Sequence, residues 1–163
     1  MQPRIHLLIL CWLLVAGCAG GNVKSPTLQT VQHVDLSRYL GTWYEIARLP
    51  NRFQKYCYRA TATYELRDDG DISVVNTCEK QEPGGEQDRI EGKAWVVDEK
   101  TNSKLKVRFF WPFSGDYWII DLDEDYEYAV VGHPKRTFLW VLARSRPMER
   151  ATFEAILERI REA

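Results

Sequence analysis

The sequence predicts an all-β fold, an eight-stranded antiparallel β-barrel of up-and-down topology with a C-terminal amphipathic helix packed outside. Eight short apolar or alternating runs follow one another, and turn-forming residues separate them. No run between them has the length of the crossover helix that parallel strands require. Eight such strands can close on themselves, although the pattern alone also allows an open two-layer sandwich.

The predicted strands are joined by short segments rich in residues that form turns. Asp68-Asp69-Gly70-Asp71 and Pro83-Gly84-Gly85 are examples of sequences that favour hairpins. Consecutive strands joined in this way pair in sequence order. The predicted strands are 41–49, 59–67, 71–79, 89–98, 104–111, 116–122, 127–132 and 137–144.

A helical pattern follows the last strand. After Pro147, the apolar residues Phe153, Ile156, Leu157 and Ile160 recur at helical spacing among Glu and Arg residues. This stripe predicts a helix packed on the outside of the barrel. A stripe that binds a protein partner is the alternative.

The N-terminus predicts a signal peptide over residues 1–17. Arg4 precedes an apolar run, 7–16, that is shorter than the roughly 20 residues of a membrane-spanning helix. Val15-Ala16-Gly17-Cys18 resembles the lipobox of bacterial lipoproteins. That resemblance implies that Cys18 becomes the acylated mature N-terminus; an ordinary signal peptide with a free Cys18 thiol is the alternative.

The residue after the cysteine indicates the destination. Ala19 stands where an aspartate commonly marks retention in the inner membrane. The resemblance therefore implies the outer membrane, on its periplasmic side. Residues 18–33 contain several helix and strand breakers and no periodicity, which predicts a flexible lipidated tether before a folded domain over 34–163.

Cysteine usage predicts one disulfide. Of four cysteines, Cys11 lies in the signal peptide and Cys18 is the lipidation site, which leaves Cys57 and Cys78. The predicted hairpin between these two brings them together, and in an oxidising compartment they pair. Such a bridge would stabilise the fold by roughly 3 kcal/mol. Two buried free thiols are the alternative.

Charge and composition argue against several functions. The net charge of −1 gives no extended positive field for nucleic acid. The histidines fall in the predicted signal peptide, tether and a turn, no metal-ligand cluster or catalytic triad is recognisable, and no cofactor is expected. Glu45 is the one acidic candidate on an inner face, where a structural carboxylate is favoured. An enzyme acting on an apolar substrate remains an alternative.

Three motifs in order resemble the lipocalin family. Gly41-Thr42-Trp43, preceded by Asp35 to Leu40, is similar to the Gly-X-Trp signature, and the segments 125–132 and 139–144 resemble the second and third motifs. The resemblance implies that Arg144 lies across Trp43 as a cation on an aromatic face, with Gly41, Trp43 and Arg144 structural.

Within that family the chain looks like the bacterial outer-membrane lipoprotein type and the related apolipoprotein D branch. The phrases 66–70, 91–94 and 117–120 carry this likeness. It implies binding, storage or transport of a fatty acid, lysophospholipid or similar apolar ligand for membrane maintenance; a tetrapyrrole is the alternative ligand. Those relatives continue beyond the helix with a segment that pairs beside the first strand. A chain ending at Ala163 either leaves that edge open or comes from a shortened gene, and a homodimer is a further expectation.

Alternation of charged and apolar residues predicts the ligand-facing side chains. If charged residues mark the outer face, a set of mostly aromatic side chains points inward. Tyr64 and Trp118 match positions of ligand-contacting aromatics in the apolipoprotein D branch. A closed core filled by these side chains is the alternative. The predicted ligand-binding residues are Tyr64, Ala94, Phe109, Trp118, Ile120 and Trp140.

A further aromatic group surrounds the Pro112–Gly115 turn. Trp111, Phe113 and Tyr117 are expected near one barrel end. Part of the entrance, a membrane-facing patch, a dimer patch and simple loop packing are the interpretations left open.

Overall fold

The computed structural model describes residues 27–162. The predicted signal peptide, Cys18 and the tether up to residue 26 lie outside the described residues. The elements are α1 (Leu36–Tyr39), β1 (Gly41–Arg48), β2 (Cys57–Leu66), β3 (Ile72–Lys80), β4 (Gln87–Val96), β5 (Lys104–Phe110), β6 (Phe113–Leu122), β7 (Tyr128–Gly132), β8 (Leu139–Ala143) and α2 (Arg150–Glu162).

The eight strands form a closed antiparallel barrel. Each strand pairs with the next in sequence, and β8 returns to pair with β1. This closure confirms the predicted barrel and rules out the open sandwich. Because the strands alternate in direction, α1 and the turns 67–71, 97–103 and 123–127 share one end, the closed end. The segments that connect the strands at the other end define the mouth.

Helix α2 packs on the outer surface of β7 and β8. Ile156 is fully buried in a cluster with Val130 and Val141, whose side chains point away from the barrel interior. The predicted packing of the helix on the barrel is therefore confirmed. Within residues 27–162, no helix combines the length and the apolar composition needed to cross a bilayer.

A β-bulge in β6 reverses the alternation of its side chains. Ile119 pairs with Val131, but the next pair joins Asp121 to Val130, so Ile120 is an extra residue. Side-chain directions that are counted along β6 from its closed end are therefore wrong from Ile120 towards the mouth. As a result Tyr117 and Ile119 pack in the interior core, and the predicted inward orientation of Ile120 is wrong, because Ile120 packs with the α2 cluster.

Trp118 also lies on the outside. Its partner across the strands is Lys104, whose Nζ lies 4.9 Å from the indole centroid. Leu105, the next residue along β5, is buried in the interior core, so Lys104 and Trp118 share the outer face. The prediction that Trp118 points into the barrel is therefore wrong, for the same reason as that for Ile120.

Residues 27–34, here called the strap, lie packed along the barrel. Leu28 is buried and approaches the position of a Cβ at Gly132 to 3.2 Å, next to the mouth. The Val31 amide donates to the Ile119 carbonyl (3.0 Å), and the Val34 amide to that of Thr101 (2.8 Å), at the closed end. The flexible tether predicted to residue 33 therefore gives way to packed chain from Leu28 onward.

Candidate ligand-binding site

A cation and an indole seal the closed end. Arg144 Cζ lies 3.8 Å from the ring centroid of the fully buried Trp43, as the motif resemblance implied. Gly41 has a φ of +91°, which glycine adopts without strain, and a Cβ there would lie 3.5 Å from Arg144 Nη1. Burial lowers the pKa of the Arg144 guanidinium. Its Nη1 and Nη2 donate to the carbonyls of Thr42 (3.0 Å), Arg38 (2.6 Å) and Leu40 (2.9 Å).

Three tyrosines of the interior core, Tyr39 and Tyr64 buried and Tyr117 partly buried, form a hydroxyl chain above this plug. Tyr117 Oη lies 2.7 Å from Tyr39 Oη and 2.9 Å from Tyr64 Oη. Burial raises the pKa of Tyr64 to about 12 and those of Tyr39 and Tyr117 well above their ordinary value. The three phenols therefore stay neutral and keep their protons at physiological pH.

The inner wall includes a group of half-buried side chains in its mouth half. Near the closed end its side chains are buried, Val74, Ala94 and Leu105 among them. Side chains that face inward yet keep accessible surface must border space that is open to solvent. These half-buried, mainly apolar side chains indicate space in the mouth half of the barrel that solvent can reach. Its half-buried inward residues are Ala62, Asn76, Ile90, Val107, Phe109 and Trp140.

Phe109 owes its position to a glycine on the neighbouring strand. A Cβ at Gly92 would lie 2.6 Å from the Phe109 ring and 2.6 Å from the Arg108 carbonyl oxygen. Any larger residue would push the ring or the β5 backbone away. Gly92 therefore lets the ring lie flat against β4 as part of the cavity wall.

Asn76 provides an unused acceptor on the inner wall. Its Oδ1 is shielded from solvent and, among residues 27–162, is the buried side-chain polar atom without a hydrogen-bond partner. Asn76 pairs with Ala62 and Ile90 on the neighbouring strands, so apolar residues surround it. A buried unpaired carbonyl is costly, and a ligand donor reaching it would remove that cost.

A polar network holds the 49–56 loop at the mouth. Glu45, which is nearly buried, forms an ion pair with Arg48 and accepts a hydrogen bond from Gln54 Nε2 at 2.7 Å. Gln54 Oε1 in turn accepts from Trp140 Nε1 at 2.9 Å. Arg48 Nη2 donates to the carbonyls of Gln54 and Cys57. The carboxylate of Glu45 is thus fully engaged with structural partners.

A cavity of about 390 Å³ opens beside this network, where β1 and β2 part. The hydrogen-bonded pairing of β1 with β2 ends at Tyr44 and Thr61. Three cations, Arg48, Lys55 and Arg59, line the cavity together with apolar residues and one carboxylate. Arg48 is ion-paired with Glu45 and Arg59 with Glu79, so among residues 27–162 Lys55 is the lining cation without a carboxylate partner.

The structure brings together most of the predicted site residues. Tyr64, Ala94, Phe109 and Trp140 all lie on the inner wall; whether they bind a ligand stays a prediction. The predicted disulfide between Cys57 and Cys78 is confirmed, with a Cα–Cα distance of 5.4 Å at the mouth.

Sequence reasoning missed two kinds of residue. Tyr117 was expected at a barrel end beside the 112–115 turn, with no inward role predicted, but it lies at the centre of the hydroxyl chain. Asn76 and Arg48 are polar residues that alternation alone does not separate from surface positions. Within residues 27–162 no cluster of three or more His, Cys, Asp or Glu side chains could hold a metal ion.

Comparison with known proteins identifies relatives of the whole barrel. A sequence profile of the family described as Lipocalin-like domain matches residues 34–163. Outer membrane lipoprotein Blc of Vibrio cholerae is 41% identical over 160 residues, covering 98% of this chain and 91% of that protein. Apolipoprotein D of Macaca fascicularis is 32% identical over 142 residues, covering 82% and 72%. Insecticyanin of the tobacco hornworm Manduca sexta shares the fold, with a TM-score of 0.67 and 23% identity over 85% of this chain and 78% of its own.

Proposed function

This chain belongs to the lipocalin family, and on that basis we propose that its barrel binds a lipid with one acyl chain, a fatty acid or a lysophospholipid, at the bacterial outer membrane. The open apolar wall at the mouth half of the barrel carries this proposal. Burying an acyl chain there contributes roughly 0.8 kcal/mol per methylene, offset by the cost of immobilising the ligand. Storage or transport of such lipids for membrane maintenance follows from this passive binding.

The polar groups of the cavity suit a lipid headgroup. Lys55 at the mouth can bind a carboxylate or a phosphate, whereas Arg48 and Arg59 already pair with Glu45 and Glu79. Deeper in the barrel, Asn76 Oδ1 needs a donor. A lysophospholipid has a free glycerol hydroxyl that can supply one, whereas an ionised fatty acid has none. We therefore favour the lysophospholipid of the two.

Attachment through acylated Cys18 is the second part of the proposal. The likeness to a protein named outer membrane lipoprotein supports it. Two or more acyl chains would hold the protein stably at the membrane, on the periplasmic side. Mass spectrometry of the protein from bacterial outer membranes should find an N-terminal peptide that starts at Cys18 and carries acyl groups. An unmodified Cys18 would contradict the anchor.

The bulge in β6, which places Trp118 on the outer face, provides a matched pair of variants for a binding test. We would titrate residues 27–163, which contain every element of the barrel, with lysophospholipid by displacing a fluorescent fatty acid. Phe109→Ala removes an inner-wall ring and should weaken binding roughly tenfold. Trp118→Ala removes a larger ring from the outer face and should leave the affinity unchanged.

The alternatives give distinct results in the same experiment. No displacement by any lipid in the parent protein would indicate a filled core and refute the proposal. Visible absorbance of the purified protein would indicate a tetrapyrrole. A chemically altered lipid recovered after incubation would indicate an enzyme.

A further inference from the structure

Aromatic side chains crowd the mouth and remain exposed. Trp111 is 83% exposed, Phe113 77% and Phe53 72%, and Tyr56 and Phe110 are also largely exposed. Exposed apolar groups concentrated in one place mark an interaction surface. At the closed end, the exposed large apolar side chains among residues 27–162 are only Leu66 and Val97.

These aromatics stand on both sides of the mouth. Phe53 and Tyr56 belong to the segment between β1 and β2, and the other three to the β5–β6 hairpin. In the closed strand order, two strands separate these hairpins in either direction, so they face each other across the opening. A flat surface could contact both at once with the barrel axis upright.

Cations accompany the aromatics. We call segments 49–56, 110–113 and 133–138 the mouth rim; it carries Arg52, Lys55, Lys135 and Arg136 and no carboxylate. Arg52 Cζ lies 5.0 Å from the Phe53 ring centroid, and Lys55 Nζ 5.1 Å from that of Tyr56. Aromatic rings beside cations suit a bilayer surface, where rings enter the headgroup layer and cations meet phosphate.

The opposite end of the molecule has the opposite charge. The closed-end segments 35–40, 67–71, 97–103, 123–127 and 144–149 carry eleven carboxylates and five cations, a formal charge of −6. At the mouth, the remaining connection 81–86 carries two glutamates against the four cations of the mouth rim, which leaves +2. An anionic surface would therefore attract the mouth and repel the closed end.

The described chain also begins beside the mouth of the barrel. The strap runs from Leu28, beside Gly132 at the mouth end of β7, to Val34 at the closed end. The first described residue, Thr27, therefore lies near the mouth. An anchor at Cys18, nine residues ahead of Thr27, would lie within about 30 Å of that point.

We propose that the mouth rim docks on an anionic lipid bilayer, with the barrel opening facing the lipids. The docking proposal depends on the mouth rim alone. A lipid that passes between bilayer and barrel without crossing water is a further step, and that step also depends on the proposed function. A second copy of this chain is a poorer occupant. A symmetric mouth-to-mouth pair would bring the four cations of one copy against those of the other.

Vesicle binding tests the proposal with matched variants. Residues 27–163, which lack Cys18, would be sedimented with vesicles of phosphatidylcholine, with or without phosphatidylglycerol. We expect binding to the anionic vesicles that weakens in high salt, with a blue shift of tryptophan emission. Trp111→Ser with Phe113→Ser should weaken binding at least tenfold, since each ring buries apolar area. Lys55→Gln with Lys135→Gln should weaken it by roughly fivefold per cation.

Leu66→Ser with Val97→Ser is the control, because it removes exposed apolar residues from the closed end. Circular dichroism and urea unfolding of every variant establish that each is folded. Absence of binding by the parent protein, or equal weakening by the control pair, would overturn the proposal. The proposal would also be overturned if the parent protein forms a dimer in sedimentation velocity, does not bind vesicles, and loses the dimer only in the mouth-rim variants. Phe109→Ala should keep its vesicle binding, so failure of ligand binding and failure of docking are distinguishable.

Discussion

At the scale of single residues, buried polar side chains organise the two halves of the barrel differently. At the closed end Arg144 donates to nearby carbonyls, and the three tyrosine hydroxyls bond from one to the next. Towards the mouth, Asn76 Oδ1 has no partner. Polar groups that are fully paired stabilise a fold, whereas an unpaired one favours whatever can pair with it. The paired groups thus stabilise the closed half, and Asn76 leaves an acceptor for the proposed ligand in the mouth half.

Removal of the Arg144 side chain should destabilise the closed end. Arg144→Ala loses a cation over Trp43 and leaves three carbonyls without donors, so we expect the free energy of unfolding to fall by about 3 kcal/mol. Urea denaturation measures this loss. Arg150→Ala is the control, since its side chain is 90% exposed and its ion pair with Glu154 is worth about 0.5 kcal/mol at most. Equal losses in the two variants would contradict a special role for Arg144.

The tyrosine chain should make the fold sensitive to alkali. Burial raises the pKa of Tyr64 to about 12, above the value near 10 of an unfolded chain, so the folded state binds the proton more tightly. Its contribution to stability is complete below about pH 10 and is lost as the pH rises towards 12. Urea unfolding at neutral pH and near pH 11 should show the loss. Tyr64→Phe should reduce it and Tyr56→Phe, at the exposed mouth, should not; the reverse pattern would refute the assignment.

At the scale of elements, strand irregularities decide which side chains reach the cavity. The bulge in β6 turns Tyr117 inward and Trp118 outward, and further register shifts in β1 and β2 accompany their separation at the mouth. Alternation along a strand holds only between such shifts. Strands β1, β2 and β6 must therefore each be considered in two parts, one on either side of the irregularity.

Helix α2 should stabilise the barrel mainly through one side chain. Ile156 is fully buried against Val130 and Val141, so Ile156→Ala should lower the free energy of unfolding by roughly 2–5 kcal/mol. Leu157→Ala, at a half-buried neighbouring position, should cost less. Urea denaturation of both variants makes the comparison. A larger loss for Leu157→Ala would mean that the helix packs through a different face.

The disulfide should stabilise the β2–β3 hairpin at the mouth. Cys57 and Cys78 lie 21 residues apart, and replacing both with Ser should lower the stability by roughly 3 kcal/mol. Thermal unfolding of this double variant, beside the reduced parent protein, measures the effect. Identical melting of the oxidised and reduced forms would show that packing alone holds the hairpin.

At the scale of the whole molecule, the sequence predicts the architecture well because its signals are local. Turn residues, alternation and the helical stripe each lie within a few neighbouring positions, and the strand order and the position of α2 follow from them. The errors at Trp118, Ile120 and the strap have another origin. They depend on how β7 pairs with β6, and on contacts of Leu28 and Val31 with strands far along the chain. No pattern within one segment records such contacts. The near-zero net charge likewise conceals a strongly acidic closed end.

The strap also has a mechanical consequence. Because its contacts are spread from the mouth to the closed end, a force applied to the chain ahead of Thr27 and directed away from the mouth acts along the strap. Its hydrogen bonds and the buried Leu28 then share the force in shear, whereas a sideways pull would break them one by one. A force applied through an N-terminal anchor would thus be borne by the strap, and the barrel would stay closed.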